Sequence, residues 1–99
     1  MIIVRVIKSA RYVVAVCDSE LLGKKFEEGK FQLDVKESFF LGEEMNEEEA
    51  ILVMNRMSRE DATFYIAGKD SINAALKAGI IEKDSIKKIQ NIPYTLILL

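Results

Sequence analysis

The chain has 99 residues, 49% of them hydrophobic and 30% charged, a balance that fits one folded domain over residues 1–99 and excludes a disordered chain. A formal charge of −2 and a pI near 5.2 exclude a nucleic-acid binder that works by bulk charge. The charge is uneven, however. Residues 1–36 and 62–99 are each +2, whereas residues 37–61 carry two basic and eight acidic side chains, so basic ends flank an acidic middle.

In chain order, "IIVRVIK" and "RYVVAVC" are β-branched runs separated by about two residues, the pattern of a hairpin. Both are apolar on two faces, which predicts interior strands. Asp18 can cap one helical turn at Ser19 to Leu22, with Leu21 and Leu22 folded onto the sheet and Gly23 ending the turn in the left-handed region. "KFQLDVK" alternates strictly, with Phe31, Leu33 and Val35 opposite Gln32, Asp34 and Lys36, and is expected to be an edge strand. Asn46 followed by Glu49 reads as a capping box, and Glu47, Glu48 and Glu49 suit the positive end of a helix dipole. Ala50, Val53, Met54 and Met57 then form the core stripe of that helix. "TFYIAG" is a further apolar strand broken by Gly68. A second helix starts at Asp70 or Ser71 and runs through Ala78 to a left-handed cap at Gly79. "IIEKDSIKKIQNI" is compatible with a helical turn or an irregular strand, and Pro93 precedes a last strand, "YTLIL".

The expected architecture is therefore α/β (α+β): a single domain with a mixed five-stranded sheet, element order β-β-β-α-β-α-β, and two main helices. The expected spatial order is 3-2-1-4-5, with the alternating third strand at one edge. The C-terminal strand at the other edge should be shielded by a helix, the chain end or a second subunit.

The chain has no histidine, which removes the usual general base, the Ser–His and Cys–His pairs and the commonest metal ligand. One cysteine excludes an intramolecular disulfide and a structural zinc site. Cys17, beside Asp18, reads as a small half-buried structural residue, not as a nucleophile. No catalytic residue, metal or cofactor is expected. Two places invite an anion. Lys24 and Lys25 leave a turn fixed by Gly23 and are followed by Phe26, a core anchor or a ring for a base. Gly68 and Lys69 stand where a strand passes into a helix with free amides, a setting for an anion or for an ordinary cap. The longest apolar runs fall far short of a membrane span and no secretory signal is visible, so a cytoplasmic protein without a membrane partner is expected.

"VAVCDSELLGKKFEEGKFQLDV", "ESFFLGEE", and the segment from Gly68 through "AALKAGII" to "IPY" resemble the archaeal domain-of-unknown-function family 424 over nearly the whole chain. The resemblance implies a small archaeal cytoplasmic protein associated with translation or RNA, with no established activity. The C-terminal third is also similar to the end of the platform ribosomal protein of the RNase-H-like translational-machinery-component fold, which shares the glycine-opened helix, its Ala-Gly end and the following Ile-Pro. Relatives of that protein tend to have Pro-His where this chain has Pro93-Tyr94, and an Asn where it has Tyr65; a catalytic role of that histidine would be lost here, while stacking by tyrosine would survive.

Three functions are then compatible with the sequence. The first is a non-catalytic RNA- or ribonucleoprotein-binding module of translation, using Gly23, Lys24, Lys25, Gly68, Lys69 and Tyr94 for RNA or another anion, with Cys17, Asp18, Gly23, Phe26, Gly42, Gly79 and Pro93 as structural positions. The second is an adaptor whose acidic helix start at residues 43–49 docks a basic partner such as a ribosomal protein. The third is a carboxylate- or metal-dependent enzyme. RNA, ribosomal or translation proteins are the expected partners, and a homodimer is compatible.

Overall fold

The β-branched runs at residues 2–7 and 13–18 do pair with each other. In the computed structural model, which describes residues 1–98, β1 (Ile2–Ile7) and β2 (Val13–Asp18) form an antiparallel hairpin in register from Ile2 with Asp18 to Ile7 with Val13. A 3-10 turn, Ser19–Leu21, leads into a second hairpin of β3 (Lys25–Glu28) and β4 (Phe31–Asp34). The short helix α1 (Glu37–Phe40) and strand β5 (Glu43–Met45) follow, then α2 (Glu47–Ser58), β6 (Thr63–Ala67) and α3 (Lys69–Ala78). The chain ends in a hairpin of β7 (Lys87–Ile89) and β8 (Ile92–Leu98). Leu99, at the end of the predicted last strand, lies outside the described residues.

Six strands form one mixed sheet in the order β5-β1-β2-β6-β8-β7, and β3-β4 is a separate two-stranded sheet. Only the β2–β6 pair is parallel, because the 44 or so residues between those strands supply the crossover such a pair needs. The α+β class and mixed sheet agree with the sequence reading, while the strand count and order do not. β2, not β1, carries the strand "TFYIA" as its neighbour. The reason is burial: every residue of β2 from Val14 to Asp18 is buried, whereas β1 loses its cover at Arg5 and Val6. The alternating "KFQLDVK" does not edge the main sheet. It folds locally onto β3 through the two-residue turn Gly29-Lys30, with Gly29 at φ +60° as a tight hairpin turn favours. This also breaks the expected β-β-β run ahead of the first helix. The ambiguous segment resolves into a 3-10 turn, Lys83–Ser85, and β7, and β7 shields the first half of β8.

The sheet has a helical side and an open side. Val4, Val14, Val16, Phe64 and Ile66 point to α2 and α3 and meet Met54, Met57, Ile72 and Ala75 in the larger core. Ile3, Ala15, Cys17 and Ala67 point the other way, under α1, the hairpin segment and their residues Val35 and Phe40. The second cover is shorter than the sheet, so part of that face stays accessible.

Candidate functional site

The accessible part begins at Tyr65. On β6, Phe64 and Ile66 are buried in the helical core, so alternation places Tyr65 on the opposite face, where it is 37% exposed. β8 runs antiparallel beside it, with Leu96 opposite Tyr65 and Tyr94 opposite Ala67, which puts both tyrosines on this face of adjacent strands. Phe39 of α1 meets the Tyr65 ring edge-on at 5.0 Å and Phe40 at 5.2 Å, holding one wall. Together with Leu33, these side chains line a cleft of about 350 Å³ whose rim carries Asp34 and Lys36. Lys36 Nζ lies 3.9 Å from Asp34 Oδ2 in an exposed pair of small energetic weight. Tyr94 and Leu96 also line an adjoining hollow of about 340 Å³ with Lys87. Lys87 makes no ion pair among the described residues. An aromatic floor flanked by two lysines can stack planar rings and meet phosphate.

The sequence-derived anion site at Gly68 and Lys69 has a different occupant. Asp70 N donates to Asp18 Oδ2 at 3.0 Å, and Ser71 N and Oγ donate to Asp18 Oδ1 at 2.8 and 2.7 Å. The chain's own carboxylate thus neutralises the amides that were to receive a phosphate. Asp18 makes no side-chain cap on the turn it precedes, so its expected role at Ser19 to Leu22 is replaced by this remote one. Gly68 leaves the room: its φ is +113°, and a Cβ there would overlap the Asp18 carboxyl carbon. Asp18, Glu20 and Asp70 each bring a carboxylate oxygen within 4.8 Å of the others, an acidic cluster in which Asp18 already serves as a cap.

The remaining predicted site residues are dispersed. Lys69 lines a cleft of about 420 Å³ on the helical side with Asn73 and Lys88, so the sheet separates it from Tyr94. Gly23 is left-handed at φ +82°, as expected, and Lys24 is exposed beyond it. Lys25 opens β3, with its ammonium 4.0 Å from Glu27. Phe26 is half-buried opposite Leu33. Gly42 passes so close to β1 that a Cβ would overlap the Val4 carbonyl. Gly79 ends α3 at φ +75°, and the Pro93 carbonyl accepts from Gly68 N at 2.8 Å. Cys17 is fully buried rather than half-buried, and desolvation first, then Asp18 and Glu20, push its thiol up from 9.0 to about 12. Tyr65, Lys36 and Lys87 were missing from the sequence-derived site. A lone tyrosine between two buried apolar residues was one available signal, and Gln90-Asn91, both at positive φ, mark the tight turn that makes "KKI" a strand.

The fold and this face define a small α+β protein with a mixed sheet covered on one side by helices and half-open on the other. By sequence, residues 7–99 match the family described as "Protein of unknown function (DUF424)", and the chain belongs to that family. The solved structures include a crystal structure of an uncharacterized conserved protein from Methanopyrus kandleri that is similar to this chain, with a TM-score of 0.86 and 20% identity, covering 97% of this chain and 89% of that one. That likeness establishes the shared fold. No curated protein matches. Among the described residues no helix is long and apolar enough to cross a membrane.

Proposed function

We propose that the chain is a non-catalytic module that binds single-stranded RNA on the open sheet face, with bases stacked on Tyr65 and Tyr94 and phosphates met by Lys36 and Lys87. The observation that carries this reading is the placement of two tyrosines on adjacent strands of a sheet face that α1 and the hairpin leave accessible. A four-stranded face with stacked aromatics is a recurring way for a sheet to hold unpaired bases. The negative net charge is compatible with this, because the acidic block of residues 43–49 lies on β5 and the start of α2, and four strands stand between β5 and β7. A role in translation is supported by the sequence resemblance.

The test is fluorescence anisotropy with labelled single-stranded RNA. Tyr65→Ala and Tyr94→Ala should each weaken binding by about 1–3 kcal/mol, the range for one stacked base, or roughly five- to 150-fold. Tyr→Phe at either position should retain affinity, since the ring does the stacking. Unchanged affinity in a folded Tyr65→Ala/Tyr94→Ala protein would reject the reading.

A second reading, docking of a basic protein partner, is favoured by one observation. Glu47 is engaged by Lys77 at 2.8 Å and Glu49 closes the capping box, but Glu43, Glu44 and Glu48 are exposed and make no ion pair among the described residues. Partners that co-purify with the native protein after RNase treatment, and are released by Glu43→Lys/Glu44→Lys, would support it.

A further inference from the structure

The edge strand β7 places two successive lysines on opposite sides of the sheet. Lys87 pairs with Tyr94 and so lies on the aromatic side, where both line one hollow. Lys88 pairs with Pro93 and lies on the helical side, where it shares the 420 Å³ cleft with Lys69, Asn73 and Asp70 at the start of α3. Successive strand residues point to opposite faces, so the two clefts lie on either side of the β7 edge. Neither Lys69 nor Lys88 makes an ion pair among the described residues.

Building on the RNA reading, we infer that a bound single strand crosses the β7 edge: bases stack on Tyr65 and Tyr94, the backbone passes Lys87, and the following phosphates enter the cleft of Lys69 and Lys88. Lys87, Lys69 and Lys88 against the single Asp70 of the clefts' lining favour a flexible polyanion for this path. A compact anion could engage either cleft but not both. A strand-like peptide adding to β7 would use backbone groups at the edge, and the two lysines would then oppose it, as charged side chains on edge strands do. Edge protection by itself accounts for Lys87 and Lys88. It gives no reason for Lys69, from a different element, to face the same cleft as Lys88. The cleft floor of Ile72, Leu76, Ile86 and Pro93 leaves Asn73 as its neutral polar group, free to accept from or donate to a sugar or base edge.

The inference makes binding length-dependent in a defined way. Anisotropy titrations of the full chain with oligouridylates of about four and about twelve nucleotides bracket the lengths that single-strand-binding folds cover. The longer strand should bind more tightly and with a steeper salt dependence. Lys69→Gln/Lys88→Gln should abolish that gain, flattening the log–log salt slope for the longer strand by up to about 1.4, which is 0.7 for each of two contacts. The same variant should bind the four-nucleotide strand as the wild type does. Equal loss for both lengths, or no loss for either, overturns the crossing path while tyrosine-dependent binding of the short strand still stands. Absence of RNA binding to the wild type at either length overturns both the path and the RNA reading. Capture of a peptide on β7 with undiminished affinity in the glutamine variant would assign the edge to strand addition and overturn the path.

Discussion

Three hydrogen bonds from the first turn of α3 converge on one buried carboxylate, and the residue that leaves space for it has no side chain. Asp18→Ala therefore removes a cap worth about 0.5–2 kcal/mol and strands the buried Ser71 hydroxyl, adding about 1–3 kcal/mol. Gly68→Ala should cost at least about 2 kcal/mol, from a positive φ and from overlap with the same carboxylate. The two effects share a cause, so urea denaturation of the double variant should show a loss smaller than the sum, by at least about 0.5 kcal/mol. Strict additivity would mean that Gly68 is required only for its backbone. Cys17 gives a pH signature. Its thiol is held protonated to about 12 in the folded chain against an ordinary 9.0, so the folded state is favoured below pH 9 and loses that advantage as pH rises from about 9 towards 12. Cys17→Ala should cost about 1–2 kcal/mol at neutral pH and flatten this alkaline decline in urea stability. Buried and neutral, the native thiol should also react with a disulfide reagent only as fast as the chain opens. The direction in which Asp18 perturbs Cys17 was legible in the sequence because the two are adjacent, while the larger cause, complete burial, was not. The role of Asp18 was not legible either, because an aspartate after a strand suits a near or a distant amide equally, and its partners are 52 and 53 positions away.

At the scale of elements, local chemistry and the β1–β2 hairpin were readable, whereas the second neighbour of β2 and the partner of the alternating strand were not. Asn46 accepts from Glu49 N while Glu49 accepts from Asn46 N, and Gly79 closes α3, each within a few residues of the chain. Alternation in "KFQLDVK" identified a strand with two unlike faces but carried no information about its neighbour. The hairpin sends only its base into the core. Val35 is completely buried against Phe40 and Cys17, whereas Phe31 near the tip is 68% exposed, and the tip is held through Glu28 Oε1 accepting from Gln90 N at 2.7 Å. The periodic pattern assigned Phe31 and Val35 the same face, and the structure gives them different environments. Val35→Ala should accordingly cost about 1–2.5 kcal/mol, and Phe31→Ser should stay within about 0.5 kcal/mol, both read as shifts in denaturation midpoint at constant slope. A large loss on Phe31→Ser would indicate that this ring is covered in solution.

On the scale of the whole molecule, the sheet sorts charge and aromatic surface into separate regions. The acidic block sits at the β5 edge and the start of α2, and the lysines of β7 sit at the opposite edge, with the tyrosine face between. Composition revealed the uneven charge, but only the folded order of strands shows that the basic edge borders the aromatic side. Lys24 and Lys25 extend the question to the hairpin. They line none of the clefts described, yet the segment that carries them packs on the same side of the sheet as Tyr94 through Leu21, Leu22 and Leu33. If they meet phosphate, Lys24→Glu/Lys25→Glu should weaken RNA binding alike across sequences and flatten the log–log salt slope by about 0.7 for each contact to a single strand. Stability should change by no more than about 1 kcal/mol, because exposed pairs such as Lys25 with Glu27 contribute little. Tyrosine truncation makes the opposite pattern, a loss of affinity with the salt slope nearly unchanged, since stacking releases no counterions. Anisotropy at several salt concentrations separates the two contributions in one experiment. An unchanged slope in the Lys24→Glu/Lys25→Glu variant, beside a reduced slope in Lys69→Gln/Lys88→Gln, would remove the hairpin from the path and leave the strand running from the tyrosines over β7 alone.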